Sequence, residues 1–312
     1  MTQYQYTKFD FMCIRRFTYA FSILLSLATV ISLLVQGLNL GIDFTSGTLV
    51  EVGYGQSVDL AAVRSTLSAS DFEDAVVQYY GSSKSLMIRI PPREGMNSAA
   101  ISNELLALLR QTGGGQDAQL HRVEFVGPQV GEELLDAGVL ATVVTLIMIL
   151  IYVAMRFQMR FAVGAIVATI HDVIVTVGFF SITRMEFNLT ILAAILAIIG
   201  YSLNDTIVVF DRIRENFHKL RKADPVEVIN VSINQTLSRT LMTSIATMLV
   251  VIIMFFFGGE TIHGFATALI VGIVIGTYSS IFVASPVTLE LGVSRKDLMP
   301  VEREGAVPDN HP

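Results

Sequence analysis

An aspartate lies deep inside an apolar run. The stretch Leu189–Glu215, LTILAAILAIIGYSLNDTIVVFDRIRE, has membrane-spanning length. Its Asp205 lies roughly 9 Å inside the end marked by Asp211, at 1.5 Å of rise per residue. A short side chain does not easily reach the interface from that depth. Its carboxyl group must be neutral, paired with a cation, or turned toward a wet crevice between helices. Burial disfavours the ionised form and a neighbouring cation favours it, so each arrangement ties function to protonation. Tyr201, Ser202 and Asn204 add hydrogen-bonding groups within a turn. Arg212 shares the helix face but lies close to the interface, where it only partly neutralises the acid. The plainer alternative for Asp205 is an interhelical hydrogen bond or salt bridge.

The other residues suited to proton chemistry are few. Arg239 stands where a later apolar span enters the membrane, at a depth comparable to that of Asp205. A long guanidinium approaching a buried carboxylate would release its proton, which makes Asp205 and Arg239 a candidate switch. Thr243 and Thr247 follow Arg239 at four-residue steps, and Thr240 and Ser244 widen the stripe. Such hydroxyls line a water file or bond back to helix carbonyls, the commoner fate. His171 and Asp172 stand in tandem about 11 residues into their own span, near mid-membrane. They are either satisfied structurally or join Asp205 in a proton relay. Cys13 is the one cysteine, which leaves no internal disulfide and no cysteine-based metal site.

These residues need helices to hold them. The 312 residues are 52% hydrophobic and 15% charged with mean hydropathy +0.60, outside the range of soluble domains. Apolar spans occur near Phe17–Val35, Ala137–Met155, Phe161–Ile182, Leu189–Asp211, Thr240–Phe257 and Gly264–Leu289. An even number of crossings puts both termini on one side. That side carries Lys8, Arg15, Arg16, Arg156, Arg160, Arg212, Arg214, Lys219, Arg221, Lys222, Arg239, Arg295, Lys296 and Arg303, whereas the opposite short loops carry Arg184. The positive-inside rule makes that side the cytoplasm and puts the segment between the first two spans outside it. The first apolar run exceeds a signal-peptide core and precedes no clear small-x-small site, so it reads as a retained helix.

The external segment opens with GLNLGIDFTSGTLVEVGYG, glycines around Asp43 leading into a strand over Thr48–Tyr54. A helix from Ser57 to about Ala69 follows, then strands Asp74–Tyr80 and Lys84–Ile90 around a Gly81-Ser-Ser turn. A helix over Asn97–Gln111, closed by Gly113–Gly115, precedes a last strand, Leu120–Val126. This β-α-β-β-α-β order is that of a split βαβ, ferredoxin-like α+β domain of about 80 residues. It shows no nucleophile–base pair, metal cluster or phosphate loop, which favours binding or mechanical work over catalysis. GPQVGEELLD, Gly127–Asp136, couples it to the second span: Pro128 suits a helix start, and Glu132, Glu133 and Asp136 read as a solvated acidic helix end. On the cytoplasmic side, Phe210, Ile213, Phe217 and Leu220 recur at helical spacing opposite Arg214, Lys219 and Arg221, as in a helix lying on the inner leaflet or on a partner's cytoplasmic face. In the last span, Gly264, Ala268, Gly272, Gly276, Ser280 and Ala284 fall every four residues, a stripe for close helix packing.

Taken together, GIDFTSGTLVEV, VGPQVGEEL, HDV, GYSLNDTIVVFDRIREN, LSRTLMTS and FFFGGETIHGFATALIVGIVIGTYSS resemble the SecF family, the smaller membrane subunits of the bacterial SecD–SecF protein-export complex. One departure is Ser46, where the family commonly has a second glycine. The resemblance implies an RND-like half, six helices pairing pseudo-symmetrically with six of SecD in the bacterial inner membrane. It divides the chain into an N-terminus with the first helix (1–36), a periplasmic domain (37–127), a connector with five helices (128–291) and a cytoplasmic tail expected to be disordered (292–312). It further implies use of the proton-motive force, with protons as coupling ion and no other cofactor, to assist late export through SecYEG after the ATPase SecA has acted. It implies YajC, YidC, the exported polypeptide and membrane lipids as further partners, and no nucleic acid. The family's essential acid and arginine fall on Asp205 and Arg239; Asp211 and Arg212 fall in the same motif, and His171 and Asp172 match a recurrent pair. The competing classes are an RND-type proton-coupled exporter of small solutes or lipids, a scaffold of the channel that transduces nothing, and, more distantly, an intramembrane protease built on Asp172 and Asp205.

Overall fold

A computed structural model describes residues 9–93, 98–111, 117–220 and 222–293. The expected Gly113–Gly115 helix stop, the cations Lys8, Arg221, Arg295, Lys296 and Arg303, and the tail beyond 293 lie outside the described residues. Among the described residues, six helices are long and apolar enough to cross a membrane. They are α1 (Arg15–Gln36), α5 (Pro128–Arg156), α6 (Met159–Thr183), α7 (Leu189–Lys219), α8 (Pro225–Phe257) and a last span of α9 (Glu260–Ser279), a π-helical turn (Ser280–Ala284) and α10 (Ser285–Glu290).

Their ends follow from local chemistry. Asn188 and Asp224 accept backbone N–H groups at the starts of α7 and α8, and Pro225 and Pro128 occupy first-turn positions where no N–H is needed. Gly37, at φ 64°, ends α1. Because α5 runs without a break from Pro128, the expected connector is the first turns of a membrane helix, and Gly127 is its joint to the external domain.

The inner layer is α6, α7 and α9, while α1, α5 and α8 turn apolar faces such as Leu34, Met148 and Phe256 outward. Between apolar helices in lipid there is no hydrophobic drive to associate, so close approach depends on small side chains. Gly178 of α6 lies against Thr29 of α1, and Gly272 of α9 lies against Ile198 of α7.

One expectation fails. The Phe210–Leu220 stripe does not lie on the inner leaflet: Phe210, Ile213 and Phe217 are buried in one cluster with Phe157, Phe161, Val228, Ile229 and Ile233. The stripe is the continuation of α7, and α8 begins fifteen residues before the expected Thr240, so the two form a helical hairpin whose inner face is covered by its own partner. Asn216 donates to Ser232 and Gln235 across it, at 2.8 and 3.0 Å.

The external domain contains β2 (Gly47–Gly53), α3 (Leu60–Ser68), β3 (Val76–Tyr80), β4 (Ser82–Ile90), α4 (Ser98–Gln111) and β5 (Gln119–Val126). Its sheet is antiparallel in the order β3-β4-β2-β5, so each β-α-β crossover straddles one strand. Val50, Leu86, Ile88, Ile101 and Leu105 fill its core. Helix α3 starts later than expected because the Val58 N–H is taken by Ser83 of β4, and Asp59 becomes the cap. That same bond keeps Ser82 and Ser83 in the strand, so the hairpin turns at Gly81.

Two short strands were not foreseen. β1 (Asn39–Leu40) pairs in parallel with β6 (Glu186–Phe187), joining the chain after α1 to the turn between α6 and α7. The one-turn helix α2 (Ile42–Thr45) follows β1 and buries Ile42 and Phe44.

Candidate functional site

Asp205 is 2% exposed, and its Oδ2 has no hydrogen-bond partner among the described residues. The α8 groups that act on it are the Ser244 hydroxyl and, more weakly, the Arg239 guanidinium. Helices α7 and α8 run antiparallel, with Tyr201 donating to Ser244 at 3.4 Å and Asn216 to Ser232 at 2.8 Å. That register sets Thr240 and Arg239 opposite Asp205, the comparable depth expected of the arginine. Thr240 Oγ1 is also buried without a partner among the described residues. Asp205 and Arg239 form no ion pair within 4 Å; the exposed Arg239 instead lines a crevice of about 170 Å³ with Val208, Asp211, Arg212, Glu215, Gln235 and Thr236. The Asp205 carboxyl thus sits buried between α7 and α8, with the Arg239 guanidinium acting on it from beyond 4 Å.

The hydroxyl stripe of α8 splits in two. Thr243 and Thr247 bond back to the carbonyls of Arg239 and Thr243, at 3.1 and 3.0 Å. Ser244 faces inward and shares a 2.7 Å hydrogen bond with Thr277 of α9.

Asp172 makes a second polar node. It is 1% exposed and accepts hydrogen bonds from Ser202 of α7 at 2.5 Å and Ser279 of α9 at 2.7 Å. His171 Nδ1 lies 3.0 Å from its other oxygen, and the imidazole packs beside Tyr278, whose hydroxyl bonds to Ser22 and to the Thr18 carbonyl of α1. The polar groups therefore join α1, α6, α7 and α9 at one level. Ser202 stood out in the sequence only as a polar neighbour of Asp205, and Ser279 carried no signal of its own; the four-residue glycine spacing of α9, which brings Gly276 against Ser202, is the pattern that could have linked them.

Gly264, Gly272 and Gly276 all face α7, abutting Ile191, Ile198 and Ser202. Ala268 is buried among residues of the same face, and Ser280 begins the π-helical turn. Asp211 lies 3.4 Å from Arg156 of α5, and Arg212 pairs with Glu215 at 2.7 Å; neither touches Asp205. Both are solvent-exposed surface pairs, screened by water and weak as sources of stability. Among the described residues, no three His, Cys, Asp or Glu side chains converge as a metal site.

The external end of α7 holds a feature that spacing alone did not show. Asp43 Oδ2 accepts the Leu189 N–H at 2.8 Å, closing the first turn of the helix that carries Asp205. Beside it, Gln78 of β3 donates to Glu186 at 3.0 Å and Arg89 of β4 donates to the Leu40 carbonyl. Glu186 has its carboxyl pushed above the usual range by burial, against the opposing pull of Arg89.

Two family models match the chain: "Protein export membrane protein SecD/SecF, C-terminal" over residues 106–294 and "SecD/SecF GG Motif" over residues 31–58. A protein translocase subunit SecF of Vibrio alginolyticus is 50% identical over 97% of this chain and 96% of its own. That of Pseudomonas aeruginosa is 46% identical over 96% of this chain and 97% of its own. In structure, SecDF of Thermus thermophilus, described as a translocon-associated membrane protein, superposes with TM-score 0.84 at 37% identity, over 93% of this chain and 39% of that one. A SecDF described as super-membrane-facing superposes with TM-score 0.68 at 38% identity, over 91% of this chain and 39% of that one. Matching the family over most of its length, in sequence and in three dimensions, the chain belongs to the SecD/SecF family of protein-export membrane proteins, as a subunit of the SecF type.

Proposed function

We propose that this subunit, paired with a SecD-type partner in the bacterial inner membrane, uses the proton-motive force to assist late stages of protein export through the SecYEG channel. Both termini are cytoplasmic and the domain between α1 and α5 is periplasmic. The observation that carries the reading is the state of Asp205: buried in a membrane helix, one oxygen unpaired, its cation on the neighbouring helix but out of ion-pair reach. An ionised Asp205 draws Arg239 in, and a protonated one releases it, so the two charge states favour different spacings of α7 and α8. A proton crossing 100 mV gains about 2.3 kcal/mol, enough to bias conformations that differ by a few kcal/mol. The relative SecDF structures, onto which this chain superposes to different degrees, support a family that takes more than one arrangement.

Replacing Asp205 by Asn fixes the neutral form. The expected outcome is loss of proton-gradient-dependent export in membrane vesicles, with insertion and co-purification of the SecD-type partner unchanged. Gradient-dependent export at the wild-type level by the Asp205→Asn protein would instead leave the subunit a scaffold. Asp172, held by two serines, and His171 serve in this reading as the polar link among α6, α7 and α9 through which a shift of α7 is felt.

A further inference from the structure

The GIDFTSG stretch, Gly41–Gly47, joins the external domain to the membrane helices at the head of α7. Before it the chain leaves α1 at Gly37 and pairs with the α6–α7 turn through β1 and β6; the stretch itself then forms the single turn α2. Phe44 of that turn stacks on Phe187 at 6.1 Å between centroids, and Phe187 meets Phe180 of α6 edge-on. Directly after α2 the chain becomes β2, the strand paired on both sides in the external sheet. Asp43 is therefore at the root of the external domain, and its carboxylate holds the first N–H of α7. Asn188 already caps this helix by accepting from Ile191 N–H, at 3.1 Å, so the Asp43 bond adds a second attachment at the same end. A carboxylate there also meets the positive end of the helix dipole.

We infer that Asp43 is a positioning residue for proton coupling: through the Leu189 N–H it fastens the root of the external domain to α7, so that a displacement of α7 set by the charge of Asp205 reaches the domain directly. This rests on the proton-coupled reading above. The transmission runs through the α7 cap rather than through the Gly127 joint, where one residue of extended backbone separates β5 from α5. Coupling of this kind is reciprocal, so domain position and Asp205 protonation each bias the other.

The test measures domain position in the full subunit with its SecD-type partner in lipid. Spin labels are placed on exposed Ser68→Cys of α3 and Thr183→Cys at the end of α6, with Cys13→Ser removing the native thiol. The label-to-label distance distribution is compared with and without Asp205→Asn. With Asp43 intact, Asp205→Asn shifts the distribution. In Asp43→Ala the shift is lost, and in Asp43→Asn, which keeps an accepting oxygen, it is retained. A second variant removes the donor instead of the acceptor. Leu189 is the first residue of α7, where proline is tolerated, and Asn188 has the extended ψ of 179° that a following proline requires. Leu189→Pro thus deletes the N–H while keeping the helix, and it too abolishes the shift. A merely structural Asp43 would lower thermal stability and leave the shift in place. A shift that persists in both Asp43→Ala and Leu189→Pro overturns this inference alone; no shift with Asp43 intact overturns it together with the charge-driven movement it depends on.

Discussion

Ser202 of α7 donates to the Asp172 carboxylate of α6 at 2.5 Å, and it does so where a Cβ on Gly276 of α9 would come within 2.9 Å of the Ser202 Cβ. Hydrogen bond and helix contact are therefore one feature: α9 must be bare at Gly276 for Ser202 to stand between α9 and Asp172. Gly276→Ala pushes Ser202 off its partner, and overpacking of this kind costs about 1–3 kcal/mol. Thermal unfolding of the purified subunit measures it. Since Ser202→Ala removes the same hydrogen bond, the double variant is expected to lose less than the sum of the two single losses.

Ser46 has φ 59° and ψ 176°, a conformation in which a side chain is strained, and it is buried against Gly131 of α5. A glycine there is the residue the backbone asks for. Ser46→Gly is expected to relieve strain on the order of 1 kcal/mol, less the small contact of its Cβ with α5. Chemical denaturation of wild type and variant gives the sign.

Glu186 binds Gln78 of the external domain from a site whose burial raises its carboxyl group above the ordinary range, with Arg89 opposing and Asp43 and Glu124 reinforcing the rise. A carboxyl raised in the docked state stays protonated where the undocked one ionises. Docking of the domain is thus strongest below the ordinary glutamate range and weakens as pH rises through the raised value. Hydrogen exchange of the β1–β6 amides should show protection falling from mildly acidic to mildly alkaline buffer. Glu186→Gln should flatten that dependence.

Tyr54 follows strand β2 with its hydroxyl buried and without a partner among the described residues, and burial pushes its phenol up to about 12. Removing an unsatisfied buried hydroxyl recovers its desolvation cost, so Tyr54→Phe is expected to stabilise the domain by about 1 kcal/mol. The phenol stays neutral in the folded domain where an unfolded tyrosine ionises, so wild type loses stability on entering alkaline pH and Tyr54→Phe loses less. Denaturation at neutral and alkaline pH checks both statements.

Six membrane crossings, the order of the external elements and the burial of Asp205 were all legible in the linear chain, because each depends on residues close in sequence. An apolar run must find lipid or protein, alternation must become a half-buried strand, and an acid inside such a run is carried with it. The small-residue spacing of α9 likewise announced a close contact. It did not say with which helix, since every other span is apolar enough to be its neighbour.

What the chain's order alone could not decide is which groups meet. Ser202 and Ser279 become partners of Asp172 only once three helices converge, and the Phe210–Phe217 stripe looked lipid-facing until α8 proved long enough to cover it. Most of all, Asp43 and Leu189 are separated by 146 positions yet share one hydrogen bond. Local propensity sets where a helix starts and what its faces are made of. Which distant carboxylate closes its first turn is settled by packing, where the GIDFTSG turn finds the aromatic cluster at the head of α7.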